Sequence, residues 1–417
     1  MAVDKNLFLY DLAIVTILKN EAPYLREWLD YHLLAGVDHF YLYDNDSTDD
    51  YQEVLAPYVG ANLVTLINFP GQIMQMPAYN NALEKYRFEC RYMAFIDLDE
   101  FIYPKSNRSI VEIVDEILAR DAQAAGLAIN WQIFGSNGHE TADYNRGVLE
   151  RFTRRAPVDW TPDGKGNAHV KHISNPRKIH YIYNPHCASY FDSLYPVNEN
   201  GKIIRASIPN AFNKPVTADK IVVNHYFCKS REEFINKTQR GRCDQAVNNY
   251  NMTYFEEYDR NDEFDDGILK YRAARADSFS LETDSEKIRR VERALIETLP
   301  KYLSGEPIED KLATALTCRA LSTYLREKFP RDIDCWQNFE KASLAAILKS
   351  LDNISMVEAK LLVLEMPTFL SLPYPVVEKL RGACLHIIPQ IMNILRQNST
   401  WDEFVILNYI QRLLQKI

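Results

Sequence analysis

The chain has 417 residues, enough for two or three domains. Apolar residues make up 47% and charged residues 25%, the balance of a globular protein with a sizeable core, which excludes a disordered chain, a collagen-like chain or a small disulfide scaffold. Against 48 Lys and Arg stand 57 Asp and Glu, a net charge of −9; this argues against a dedicated nucleic-acid binder and means that an anionic substrate must find its counter-charge locally, from a metal or from clustered Arg and Lys.

In chain order, the N-terminal stretch has an apolar run too short to span a bilayer and lacks a basic leader with a small-residue cleavage site, so no signal peptide is expected. Asp11–Leu18 reads as a buried strand. Glu21–Leu34 carries Leu25, Trp28, Leu29, His32 and Leu33 at helical spacing, with Pro23 in the first turn. His39–Asp44 is a second strand, followed by a helix capped by Ser47 or Thr48. A third strand (ANLVTLINF), a third helix (MPAYNNALEKYRFE) and a fourth strand (Arg91–Asp97) continue the alternation. This pattern predicts an α/β fold with a mainly parallel sheet covered by helices on both faces. Ligands bind such sheets beyond the carboxyl ends of the strands, and polar sequences sit there: KNE after the first strand, DNDSTDD after the second, DLDE after the fourth. Composition shifts near residue 270. Of 14 glycines, only Gly305 and Gly382 lie beyond Gly267. From about residue 280 six segments show apolar helical stripes, punctuated by Pro300, Pro307, Pro330, Pro367 and Pro373. The expected division is an α/β domain over 1–270 and a helical module over 271–417. The seven cysteines are scattered, with no C-x-x-C pair, and read as thiols of a reducing compartment. No segment is apolar and long enough for a transmembrane helix, so a cytoplasmic protein is expected, with peripheral contact at the inner face of a membrane left open.

The sharpest chemical signal is Phe95-Ile96-Asp97-Leu98-Asp99-Glu100-Phe101. On an extended segment Asp97 and Asp99 project to one side and Glu100 to the other. Two carboxylates at a strand end repel each other unless a cation lies between them, and hard oxygen ligands suit Mg²⁺ or Mn²⁺. Alternatively, one aspartate caps the next helix and the other is solvated. Asp44 either accepts bonds from a ribose or base, or only shapes an Asx turn. The region after the next strand holds Glu140 and Asp143 as its carboxylates and Trp131 as an aromatic face. Of the histidines, His186 and His225 are the better placed, whereas His32 and His39 read as packed; His169, His172 and His180 read as part of a basic loop. Glu233 and Lys237 read as an i,i+4 pair on a solvated face.

Three blocks, KNEAPYLREWLDYHLLAGVDHFYLYDNDSTDD, PAYNNAL and AFIDLDEFIYP, resemble the amino-terminal half of the family 92 glycosyltransferases and their bacterial family-2-like relatives. VNHYFCKSREEFINKTQRGR is similar to the segment closing their catalytic domain. The resemblance spans roughly residues 10–245. It implies a GT-A fold, a nucleotide-sugar donor (UDP-linked), a divalent metal and inverting transfer to a glycan or lipid-linked acceptor in surface polysaccharide or lipopolysaccharide synthesis. By that resemblance Asp97 and Asp99 form the metal and diphosphate element. Thr16, Lys19, Asn20, Glu21 and Asp44 fall at the nucleotide end, Gln75, Tyr79 and Asn80 where donor contacts are expected, and Lys237 and Arg240 near the phosphates. On the same resemblance His225, with His186 as the alternative, completes the metal site, Glu140 or Asp143 is the base for the acceptor hydroxyl, and Trp131 offers its face to the acceptor sugar. The rival readings are a phosphohydrolase of the haloacid dehalogenase type and a non-catalytic carbohydrate-binding module.

Overall fold

The computed structural model describes residues 4–191, 194–204, 211–245, 250–276, 280–306, 308, 310–328 and 333–350, with isolated positions between 357 and 389. The chain divides into two compact units, Tyr10–Glu282 and Met1–Leu9 with Thr283–Ile417.

The first unit opens with β1 (Tyr10–Leu18), α1 (Ala22–Leu34), β2 (His39–Asp44), α2 (Tyr51–Gly60), β3 (Val64–Asn68), α3 (Gln75–Tyr86) and β4 (Cys90–Phe95). Then come β5 (Glu100–Pro104), α4 (Ile110–Leu118), β6 (Ala124–Ile133), α5 (Val148–Arg151), β7 (Arg154–Arg155), β8 (Val170–Ser174), β9 (Ile179–Asn184), β10 (Cys187–Tyr190) and β11 (Tyr195–Val197). The unit closes with β12 (Ile221–His225), α6 (Arg231–Arg240), α7 (Met252–Tyr258), β13 (Glu263–Phe264) and α8 (Gly267–Ala276). The main sheet runs β3-β2-β1-β4-β8-β6-β12-β5, with β11 beside β6. β1 pairs in parallel with both β2 and β4, and β12 in parallel with β6. Only β8 and β5 run against their neighbours. The order 3-2-1-4 reverses direction between β1 and β4, which makes that crevice the topological switch point where α/β sheets bind ligands. β1 is apolar over most of its length and buried throughout except at Asp11, as a strand covered on both faces must be. Helix α1 is fastened to β5 by two buried bonds: Trp28 Nε1 donates to the Glu100 carbonyl at 2.8 Å, and Tyr31 Oη donates to that of Ile102 at 2.9 Å.

Four expectations change. Val170–Ser174 is an inner strand between β4 and β6, not part of a basic loop, and its Lys171, His172 and Ser174 are buried. Residues 96–99 turn rather than extend, with the Glu100 N–H donating to the Asp97 carbonyl at 3.1 Å. Asp50, not Ser47 or Thr48, stands at the start of α2. Instead the 47–48 turn is laced to the loop after β1: Asn20 N donates to Ser47 Oγ at 3.1 Å, and Thr48 N to Asn20 Oδ1 at 2.7 Å. Finally, Glu233 and Lys237 do not pair with each other; each reaches a different buried partner.

The second unit holds α9 (Asp284–Ser304), α10 (Lys311–Lys328) and α11 (Ile333–Ser350). Thr283 and Glu286 form a capping box at the start of α9, and Gly305 ends it in the left-handed region at φ 91°. Pro300 lies inside α9 rather than beyond it. Arg290 ties the helix to the short turn at Lys5–Leu7 by donating to the Phe8 carbonyl at 2.7 Å. The last three expected helices, within 355–417, lie outside the described residues apart from isolated positions. Among the described residues no helix is long and apolar enough to cross a membrane.

Candidate active site

A cleft of about 410 Å³ opens at the switch point. The segment after β1 supplies Lys19 and Glu21, the start of α3 supplies Gln75, and the turn after β4 supplies Asp97 and Asp99. The ends of β6 and β12 bring Trp131 and His225, and α6 brings Lys237 and Arg240.

Asp97 and Asp99 both face this cleft, each held by a lysine. Asp97 Oδ2 accepts from Lys171 Nζ at 2.8 Å, while its Oδ1 accepts from Gln75 Nε2 at 2.7 Å and from the Tyr79 hydroxyl at 3.4 Å. Asp99 Oδ2 accepts from Lys237 Nζ at 2.6 Å, and its Oδ1 lies 3.5 Å from His225 Nε2. Burial would raise the Asp99 carboxyl, but Lys237 and His225 override it and hold it well below the usual range. Burial pushes Glu100 up to about 8, despite Lys171 at 3.3 Å. Burial lowers His225, with Asp99 opposing. Burial also lowers His169 to about 4 and drives His186 down well below its ordinary value. Around the Trp131 indole this leaves neutral imidazoles, with ring centroids 4.3 Å (His225), 4.6 Å (His169) and 5.0 Å (His186) away. Among the described residues Trp131 Nε1 and His225 Nδ1 are buried without a hydrogen-bond partner.

Among the described residues no group of three or more His, Cys, Asp and Glu is placed to hold a metal ion. The two donors that come nearest to one are a carboxylate oxygen and a ring nitrogen on the cleft wall. Asp99 Oδ1 and His225 Nε2, 3.5 Å apart, are near the roughly 3 Å edge of an octahedron with 2.0–2.1 Å bonds. Asp97 sits beside them with its side chain 36% exposed, its oxygens already engaged by three donors.

Other expected site residues lie elsewhere. Thr16 is sealed inside β1 and does not line the cleft. Asn20 braces the 47–48 turn, and Asp44 Oδ1 accepts from Ser47 N at 3.1 Å; both are set back from the cleft wall because they shape loops. Tyr79 is buried behind Asp97, and Asn80 is occupied with the backbone of Ile182 in β9. Glu140 is displaced from the site. Its side chain is 75% exposed, and it lies 3.9 Å from Arg231 outside the cleft, as does Asp143. The cleft's carboxylates are Asp97, Asp99, Glu21 and Asp244. Lys171 and His169 were not expected in the site; the Lys171-His172 pair set between Val170 and Ile173 in VKHIS was the available signal.

Helix α6 is seated by a buried bidentate pair. Arg151 Nη1 and Nη2 donate to Glu233 at 2.8 and 2.9 Å, and Glu233 also closes the Ser230 capping box. Burial would raise the Glu233 carboxyl, but bonds from Arg151 and Ser230 hold it at about 2, against an ordinary 4.5. Because the folded value is depressed, this stabilisation is complete above the unfolded value near 4.5 and fades as pH falls toward 2. Glu233→Gln should therefore flatten the acid limb of a melting-temperature profile across that window. A limb parallel to that of the unsubstituted chain would refute the assignment.

The family model described as Glycosyltransferase family 92 matches residues 14–240, just over half of the chain. A family 92 protein of Ricinus communis is 27% identical over 236 residues, covering 55% of this chain and 38% of that one. Another, of Arabidopsis thaliana, is 35% identical over 101 residues, or 24% and 18% of the two chains. A galactan beta-1,4-galactosyltransferase of Arabidopsis thaliana is 33% identical over 100 residues, or 22% and 19%. The chain thus spans well under half the length of these relatives. The crystal structure of S. aureus TarS 1–349 matches with a TM-score of 0.31 and 15% identity, over 80% of this chain and 90% of that one. The sheet order, with the cleft at its switch point, is that of a GT-A-like α/β scaffold. Within it, the chain belongs to glycosyltransferase family 92. That membership sets aside the phosphohydrolase alternative.

Proposed function

We propose that the protein transfers a sugar from a nucleoside-diphosphate sugar, UDP-linked, to a hydroxyl of a glycan or lipid-linked acceptor, with inversion at the anomeric carbon. The observation that carries this reading is Asp99, buried at the switch-point cleft between His225 and Lys237, with Arg240 in the same wall. Asp99 and His225 would hold Mg²⁺ or Mn²⁺, with Asp97 alongside. When bound, such a cation neutralises charge that develops on a departing diphosphate. Lys237 and Arg240 add fixed positive charge on the same side, so the leaving group meets preorganised donors. Lys19 and Glu21 line the nucleotide end, and Gln75 holds Asp97 in orientation. Trp131 offers its indole face to a sugar ring. The galactan galactosyltransferase relatives support galactose as the sugar. Synthesis of a surface polysaccharide or lipopolysaccharide in the cytoplasm, with peripheral membrane contact, fits this chemistry.

A thermal-shift screen tests the donor. UDP-galactose with Mn²⁺ should raise the midpoint by about 5–10 °C at ligand concentrations near a hundred times Kd, and each component alone by less. Absence of a shift with every nucleotide sugar would leave a non-catalytic module as the better account.

A further inference from the structure

A second cavity of about 350 Å³ lies on the other side of the wall formed by Glu21, Lys237 and Arg240, all of which also line the donor cleft. Its lining carries two polar groups of opposite character. Lys229 is 5% exposed, and among the described residues its ammonium makes no hydrogen bond or ion pair; it rests 4.2 Å from the centre of the Tyr24 ring. Glu21 is equally buried. One of its carboxylate oxygens is taken by Arg240, while among the described residues Oε2 has no hydrogen-bond partner. An aromatic wall completes the cavity: Tyr144, 52% exposed, stands edge-on to Tyr24 with centroids 6.1 Å apart. Two non-glycine residues bordering it, Asn20 and Lys229, hold left-handed backbone at φ 52°. Such conformations cost free energy and persist only where the surroundings impose them.

We infer that this cavity is a saccharide subsite, engaging a sugar of the acceptor glycan next to the donor cleft. A sugar hydroxyl is both donor and acceptor. It can accept from Lys229 Nζ and donate to Glu21 Oε2, satisfying both groups at once, while the Tyr144 ring covers an apolar face of the pyranose. A pocket of this size with a few convergent polar groups is the ordinary form of a small-molecule site. A simple anion would satisfy the lysine but meet the glutamate with like charge, so the pair selects a neutral polyol. Assigning the sugar to the acceptor rests on the transfer reading; the binding chemistry does not.

Saturation-transfer NMR on the full chain, without nucleotide, using methyl β-galactopyranoside, methyl β-glucopyranoside and methyl α-mannopyranoside, tests the subsite. At least one glycoside should bind in the millimolar range. Tyr144→Ala and Lys229→Met should each weaken it about tenfold or more, while UDP affinity by calorimetry stays within about twofold. Tyr144 is exposed, so its substitution tests the idea even if Lys229→Met fails to fold. No binding by any of the three, or binding that survives Tyr144→Ala, would overturn the inference. Glycoside binding without UDP binding would sustain the subsite while removing the donor reading.

Discussion

Asp99→Asn should lower sugar transfer about a thousandfold, roughly 4 kcal/mol at the transition state, while leaving a cooperative unfolding transition. The carboxylate is a buried anion with the Lys237 ammonium at 2.6 Å and the His225 imidazole at 3.5 Å. An amide keeps the shape but removes the charge that holds both groups and any cation. Among the described residues Lys237 then keeps aromatic faces, with Phe227 4.2 Å and Tyr250 5.7 Å from its ammonium, and the Phe227 carbonyl at 3.3 Å. Its position loosens on the side where the leaving group would sit. Transfer within tenfold of the unsubstituted enzyme, measured as UDP release from the donor found in the thermal screen, would remove Asp99 from the mechanism.

Arg151→Met should cost about 3–5 kcal/mol of folding stability and lower the melting point by roughly 10 °C. The side chains of Arg151 and Glu233 are 2% and 1% exposed, so removing the cation strands a carboxylate that also serves Ser230 and Tyr24. Replacing both partners together should cost less than Arg151→Met alone, because no buried charge is left behind. The pair anchors the first turn of the helix that delivers Lys237 and Arg240. Urea denaturation of the single and double variants measures both effects; a loss under 1 kcal/mol for Arg151→Met would show the pair to be incidental.

The early strands and helices were legible because each carries one clear period. Asp11–Leu18 and His39–Asp44 are β-branched and aromatic runs that end in polar turns, and the structure places β1 and β2 within a residue of those limits. The cleft was legible in outline from the same ends, since KNE and DLDE lie where a parallel sheet binds ligands. What escaped was β8. Its Lys171, His172 and Ser174 look like loop residues, yet each is buried by a partner far away in sequence or across the sheet: Asp97, Phe95 and Tyr190. Periodicity cannot reveal a strand whose polar groups are satisfied only in three dimensions. Glu140 misled for the complementary reason. Its position after β6 was right, but the chain turns away there, and the Glu140 carbonyl accepts from Glu232 at the start of α6.

The ladder on β12 sets His225 opposite Glu100 of β5 and Ile133 of β6. Side chains alternate faces along a strand, so the register decides which of them enters the cleft. Insertions in the turn before Ile221 leave that phase untouched, whereas one residue added within Ile221–Val223 carries Asn224 to the place of His225 and one residue removed carries Tyr226 there. The cleft therefore absorbs drift in loop length continuously but changes in whole steps along this strand, each step bringing a different functional group.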